Sequence, residues 1–106
     1  MAQAIIRTAE QQEYSPADHK LFFLRDVVTA QLNPQLSLHR GRIEPGGEIC
    51  CHKRNRTETI YILSGDVLCT LGSEQSQLGA GHCIVAADNV VHGLKNCGEQ
   101  PVETWI

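Results

Sequence analysis

The 106-residue chain carries 12 acidic and nine basic side chains, a formal net charge of −3, and 42% apolar residues. That size suits one domain over residues 1–106, and no apolar run reaches the roughly 18 residues that would cross a membrane. The acidic balance gives no global pull toward nucleic acid or anionic lipid, so neither partner is expected.

Residues 1–7 lack a charged segment leading into a long apolar one, so no signal peptide is expected and the expected compartment is the cytoplasm. Residues 1–19 are polar and irregular, with Ser15-Pro16-Ala17-Asp18 placed to start one helical turn. Strands are predicted over residues 21–28 and, after the turn at Asn33-Pro34, over 36–44. Glu44-Pro45-Gly46-Gly47 reads as a turn into a third strand at 48–54, followed by a polar loop at Asn55. Further strands are predicted over 58–63, closed by Ser64-Gly65-Asp66, and then over 67–71, 75–78, 83–86, 91–96 and 102–106. Short strands at regular spacing, separated by Gly or Pro turns and without an amphipathic helix, predict an all-β sandwich or barrel.

The cysteines Cys50, Cys51, Cys69, Cys83 and Cys97 are odd in number and form no CxxC pair. They are expected to be reduced thiols, and the adjacent Cys50 and Cys51 are not expected to bridge. Five of the nine basic residues (Arg40, Arg42, Lys53, Arg54 and Arg56) fall in one short window. They are either solvated strand edges or a positive rim that draws in a small anionic ligand.

Side-chain alternation decides which residues share a face. In the strand at 48–54, Cys50, His52 and Arg54 point one way and Ile49, Cys51 and Lys53 the other. In the next strand Glu58, Ile60 and Ile62 share a face, and in the strand at 91–96 His92, Leu94 and Asn96 do. If these faces all look inward, His52, Arg54, Glu58 and His92 converge at one end of a barrel, above Ile60, Ile62 and Leu94. A one-residue slip would reverse the assignment.

Two spaced motifs run through this region. Gly46-x5-His52-x-Arg54-x3-Glu58-x6-Gly65 resembles the first cupin motif, with every spacing kept and the second histidine replaced by Arg54. Gly81-x5-Ala87-x-Asn89-x2-His92-x3-Asn96 resembles the second, with Ala87 at its usual proline and Asn89 at its usual second glycine. The resemblance covers residues 46–96, motif one at 46–65 and motif two at 81–96. It implies a small single-domain cupin, an all-β jelly-roll or double-stranded β-helix barrel. It names no chemistry, because this fold hosts many.

In metal cupins the two histidines and the glutamate of the first motif, with the histidine of the second, bind a divalent metal. The resemblance carries that role to His52, Glu58 and His92. Arg54 cannot ligate, because its guanidinium stays protonated and offers no lone pair. Two outcomes follow. In one, Arg54 swings to the rim and two histidines and a carboxylate hold iron, manganese, nickel, zinc or copper, with positions left for substrate. In the other, no metal binds and Arg54 neutralises Glu58 or clamps a carboxylate or phosphate.

Cys50 shares the inferred inner face and is either a soft contact to the ligand or a small core residue. His19, His39 and His82 read as structural or exposed, and Tyr61 and Trp105 as packing residues or subunit contacts. The expected function is a metal-binding cupin acting on a small polar or anionic molecule, with dioxygenase-like or isomerase-like chemistry. The alternative is a non-catalytic cupin that binds or senses a small anionic or sugar ligand, its metal site lost through Arg54. Arg56-Thr57-Glu58 and the following Ile60-Tyr61-Ile62-Leu63-Ser64-Gly65 are similar to sugar-phosphate isomerase and guanylyltransferase cupins, which keep an Arg-x-Glu there. That stretch is too short to name a substrate. The resemblance also implies a homodimer, in which exposed terminal strands at 1–8 and 101–106 would pair with a partner subunit.

Overall fold

The computed structural model describes residues 3–106. Its strands are β1 (Glu13–Tyr14), β2 (Lys20–Val28), β3 (Leu38–His52), β4 (Glu58–Ser64), β5 (Asp66–Leu71), β6 (Glu74–Gly79), β7 (Cys83–Ala86), β8 (His92–Lys95) and β9 (Val102–Trp105). They pair antiparallel in the order β6-β5-β8-β3-β9-β4-β7, with β2 against β3 and β1 against β2. The sheet curls on itself as a half-barrel, the all-β jelly-roll architecture that the motif pattern implies. Among the described residues no helix is long and apolar enough to cross a membrane.

The turn expected at Pro45-Gly46 is instead a corner inside one 15-residue strand. Before the corner β3 pairs with β9, matching Arg40 to Trp105 and Ile43 to Val102. After it β3 pairs with β8, matching Glu48 to Lys95. Pro45 has no N–H to lose, and Gly46 takes φ +81°, a conformation that a side chain would strain. Gly46 donates to the Asn96 carbonyl at 3.1 Å and Asn96 donates to that of Gly47 at 3.0 Å, so the corner keeps its backbone bonds. The Asn96 side chain, 1% exposed, braces the same place by donating to the Ile43 and Gln100 carbonyls at 2.9 and 2.8 Å.

The core lies inside the curl. Ile43, Ile60, Ile62, Val67, Leu94 and Val102 are all at most 2% exposed, with Phe22, Ile49, Cys69 and Ile84 completing the cluster. The β4 alternation holds as expected, with Ile60 and Ile62 inward and Thr59 and Tyr61 outward. Truncating one of these isoleucines to alanine would cost about 2–5 kcal/mol.

Four expectations are corrected here. The helical turn lies at Thr8–Glu10, while Ala17 and Asp18 form a plain turn. Residues 3–8 contain no strand before that helix, and residues 1 and 2 lie outside the described set. The strand at 102–105 is no free edge, because β9 sits between β3 and β4 with Val102 and Thr104 fully buried. Among the described residues the termini therefore present no pair of free strand edges. Ile49 points into the core at 3% exposure rather than away from it, for a reason that shapes the site.

An N-terminal strap closes the outside of β2. Arg25 donates to the carbonyls of Ala9 and Gln11, and Glu13 bridges Arg25 at 3.5 Å and Arg42 at 2.7 Å. Tyr14 donates to Asp26 at 2.6 Å, and His39 Nδ1 meets the same carboxylate oxygen at 2.8 Å. Arg42 also bridges Glu44, and Arg40 bridges Glu103. Two of the five clustered cations are thus neutralised away from the site, and any positive rim reduces to Lys53, Arg54 and Arg56. All five cysteines are free thiols, and burial pushes the Cys69 thiol above its ordinary value.

Candidate metal centre

Three ligand-type side chains meet at the end of β3, the start of β4 and the start of β8. His52, Glu58 and His92 each present one ligand atom, and those atoms all lie within 4.8 Å of one another. The imidazole rings of His52 and His92 stand 4.5 Å apart between centroids. His92 is 2% exposed, and the Glu58 side chain 16%.

A β-bulge aligns them. Ile49 pairs with Leu94 and His52 with His92, so three steps along β3 meet two along β8. The extra residue inverts the alternation, which lets both Ile49 and His52 face inward. Gly93 makes the bulge possible. A Cβ there would stand 2.8 Å from the Ile49 carbonyl oxygen and 2.9 Å from Cys51 Sγ. On the far side of the site Asn89 takes φ +61°, a conformation asparagine tolerates, and donates its N–H to the Arg54 carbonyl at 2.7 Å.

Both imidazoles are held in one tautomer. His52 Nδ1 lies 2.8 Å from the Cys50 carbonyl oxygen, and His92 Nδ1 lies 3.0 Å from that of Val90. A carbonyl only accepts, so each Nδ1 carries a proton, and a ring with that single proton offers an Nε2 lone pair to the centre. This is the arrangement that orients metal-binding histidines elsewhere. His52 Nε2 is buried and has no hydrogen-bond partner among the described residues. His92 Nε2 faces Glu58 Oε2 at 3.2 Å, so the imidazole and the carboxylate aim at a common point. A buried imidazole lone pair without a donor, as at His52 Nε2, is costly in isolation and fits a cation beside it. The donor set and its geometry therefore suit a divalent metal.

Arg54 lies beside this group. Its Nε is 3.0 Å from the same Glu58 Oε2, and its side chain is 44% exposed. Cys50 contributes to the site through its backbone. Its thiol is outside the three-atom group, its carbonyl orients His52, and its N–H donates to His19 Nδ1 at 2.9 Å.

His19 is the residue that reasoning from sequence missed. It precedes β2, its ring centroid is 5.2 Å from that of His52, and it packs edge-on to Phe22 at 5.5 Å. Burial, then the neighbouring His52 and Arg54, push its imidazole below the ordinary value, with Asp18 and Glu58 opposing. No local motif marks it, since it reaches the site only through the pairing of β2 with β3. His39 and His82 stay away from the centre, on Asp26 and the Gly79 backbone.

The Cupin_2 family model, described as Cupin domain, matches residues 39–106. The chain belongs to the cupin family. Similar solved structures carry the same fold at low identity. A predicted oxalate decarboxylase from Thermotoga maritima is 17% identical with a TM-score of 0.88, covering 96% of this chain and 95% of that one. The polyketide cyclase RemF from Streptomyces resistomycificus is 15% identical at 0.84, covering 98% and 77%. KdgF from Halomonas sp. is 17% identical at 0.80, covering 96% and 91%. No curated protein matches the sequence.

Proposed function

We propose that this cupin is a metal-dependent enzyme acting on a small anionic molecule, with dioxygenase-like or isomerase-like chemistry. His52, Glu58 and His92 would hold a divalent transition metal. The observation that carries this reading is the buried, partnerless Nε2 of His52, fixed as a lone pair by the Cys50 carbonyl. When bound, the metal supplies Lewis acidity or redox capacity.

The chain's own residues do the rest. Arg54 is the binding group for a substrate carboxylate or phosphate, since its planar fork matches either anion. Its present partner is Glu58. An ion pair with one side chain 44% exposed is worth about 0.2–1 kcal/mol. A metal bound with micromolar affinity, worth about 8 kcal/mol, would outweigh that pair, leaving the Arg54 guanidinium free to meet an anion. Ile60 and Leu94, 1% and 2% exposed, form an apolar floor that keeps water from below the ligands. The similarity to a predicted oxalate decarboxylase agrees with a small carboxylate as substrate.

A second reading follows from the Arg54–Glu58 pair itself: a non-catalytic cupin in which Arg54 binds an anion without a metal. Screening the metal-loaded protein against small carboxylates and sugar phosphates separates the two. Turnover that depends on added metal and falls in Arg54→Ala supports the enzyme. Anion binding that is unchanged by chelation, with no turnover, supports the binding module.

A further inference from the structure

We propose that His19 is a substrate-binding residue of this centre, an Nε2–H donor to an oxygen of the anionic ligand, and not a fourth metal ligand. The inference rests on the metal-dependent reading above and adds a residue to it.

Three observations carry it. Cys50 N–H donates to His19 Nδ1 at 2.9 Å, so Nδ1 is the acceptor and the neutral ring bears its proton on Nε2. That is the opposite tautomer to His52 and His92, whose Nε2 atoms are lone pairs. The proton of the His19 ring thus lies on the nitrogen that His52 and His92 leave for a cation. His19 is also outside the group whose ligand atoms converge within 4.8 Å, although its ring stands 5.2 Å from that of His52.

Finally, the backbone two residues further on is strained. Leu21 takes φ +46°, rare for a leucine, at a register shift where Lys20 pairs with Glu48 but Phe22 with Ile43. Strain of this kind gathers beside functional sites, where bulges re-aim a side chain. The bond to Cys50 accounts for Nδ1 alone. A donor on Nε2 in a ring that lies near His52, beside a metal centre and Arg54, suits an oxyanion.

The test uses the full chain as wild type, His19→Asn and His19→Gln, each loaded with manganese(II). Elemental analysis reads the metal, calorimetry reads the binding of oxalate and of inorganic phosphate, and thermal melting reads the fold. Asparagine keeps an acceptor for Cys50 N–H but removes the distal donor, whereas glutamine restores a donor near the Nε2 position. Equal metal content in all three, about tenfold weaker anion binding in His19→Asn and partial recovery in His19→Gln is the expected result. Equal anion affinity in wild type and His19→Asn overturns the proposal and leaves the metal reading standing. Loss of metal from both variants overturns it too, because His19 would then be supporting the ligands. Wild type that takes metal but neither anion also removes the role. Wild type that takes no metal overturns the function proposed above, and this inference with it.

Discussion

Arg54 Nε and His92 Nε2 approach the same oxygen, Glu58 Oε2, at 3.0 and 3.2 Å. Glu58 is therefore shared between a group that competes with a metal and a group that helps bind one. The competition sets a prediction. Arg54→Ala should tighten metal binding several-fold and weaken oxalate binding. Arg54→His, which supplies an imidazole at the fourth ligand position, should tighten metal binding by at least about tenfold. Competition against a metal-sensitive dye measures both, and weaker metal binding in Arg54→His would refute this role for the residue.

Gly93 fixes the distance between the two ligand-bearing strands. A methyl group there meets the Ile49 carbonyl at 2.8 Å and the Cys51 backbone N at 3.0 Å, so β3 must move away from β8 and carry His52 with it. Gly93→Ala should lose about 10- to 100-fold in metal affinity, the scale seen when ligand support is disturbed. A Gly93→Ala variant that binds metal as the wild type does would show that the bulge does not set the geometry.

The strap carries a pH dependence. Partial burial, the hydrogen bond to Asp26 and that carboxylate's charge push the Tyr14 phenol up to about 12 from 10.0. Burial opposes ionisation of Asp26, but the bonds from Tyr14 and His39 outweigh it and hold its carboxyl below the usual range. The raised phenol stabilises the fold fully below pH 10, and that contribution is lost as pH rises toward 12. The depressed carboxyl stabilises the fold above its unfolded value of 3.8 and loses that contribution as pH falls through the folded value. Tyr14→Phe should therefore melt below the wild type at neutral pH, with the gap closing between pH 10 and 12. A gap that stays constant across that range would contradict the assignment.

Thr104 offers a stability test away from the site. Its Oγ1 is buried without a hydrogen-bond partner among the described residues, against the open Cα face of Gly41. Thr104→Val replaces the unpaired hydroxyl by a methyl group and should stabilise the protein by about 1 kcal/mol. Thermal melting should rise by about 4–8 °C. A fall would mean that the hydroxyl has a partner in solution.

The convergence of His52, Glu58 and His92 was legible in the sequence because the spacing of the two motifs and the alternation of their strands placed all three on one face. The alternation of β4 follows directly from Glu58, Ile60 and Ile62. The orientation of Ile49 was not legible. A bulge inverts parity, and this one depends on Gly93 of a strand far along the chain. The corner at Gly46 was misread because Pro45-Gly46-Gly47 is a turn signal locally, whereas β9 and β8 take up the two halves of one strand. His19 stayed hidden because its position depends on the register of β2 against β3 and on the strained backbone at Leu21. Patterns within one strand survive into the fold, while features created by pairing between distant strands do not announce themselves.

The central claim is that His52, Glu58 and His92 together hold a metal. Elemental analysis of untagged protein, beside a His52→Ala, His92→Ala double variant, tests it most directly. Near-stoichiometric metal in the wild type that vanishes in the variant is the predicted result. Wild-type protein that contains no metal and takes up none of iron, manganese, nickel, zinc or copper would contradict it.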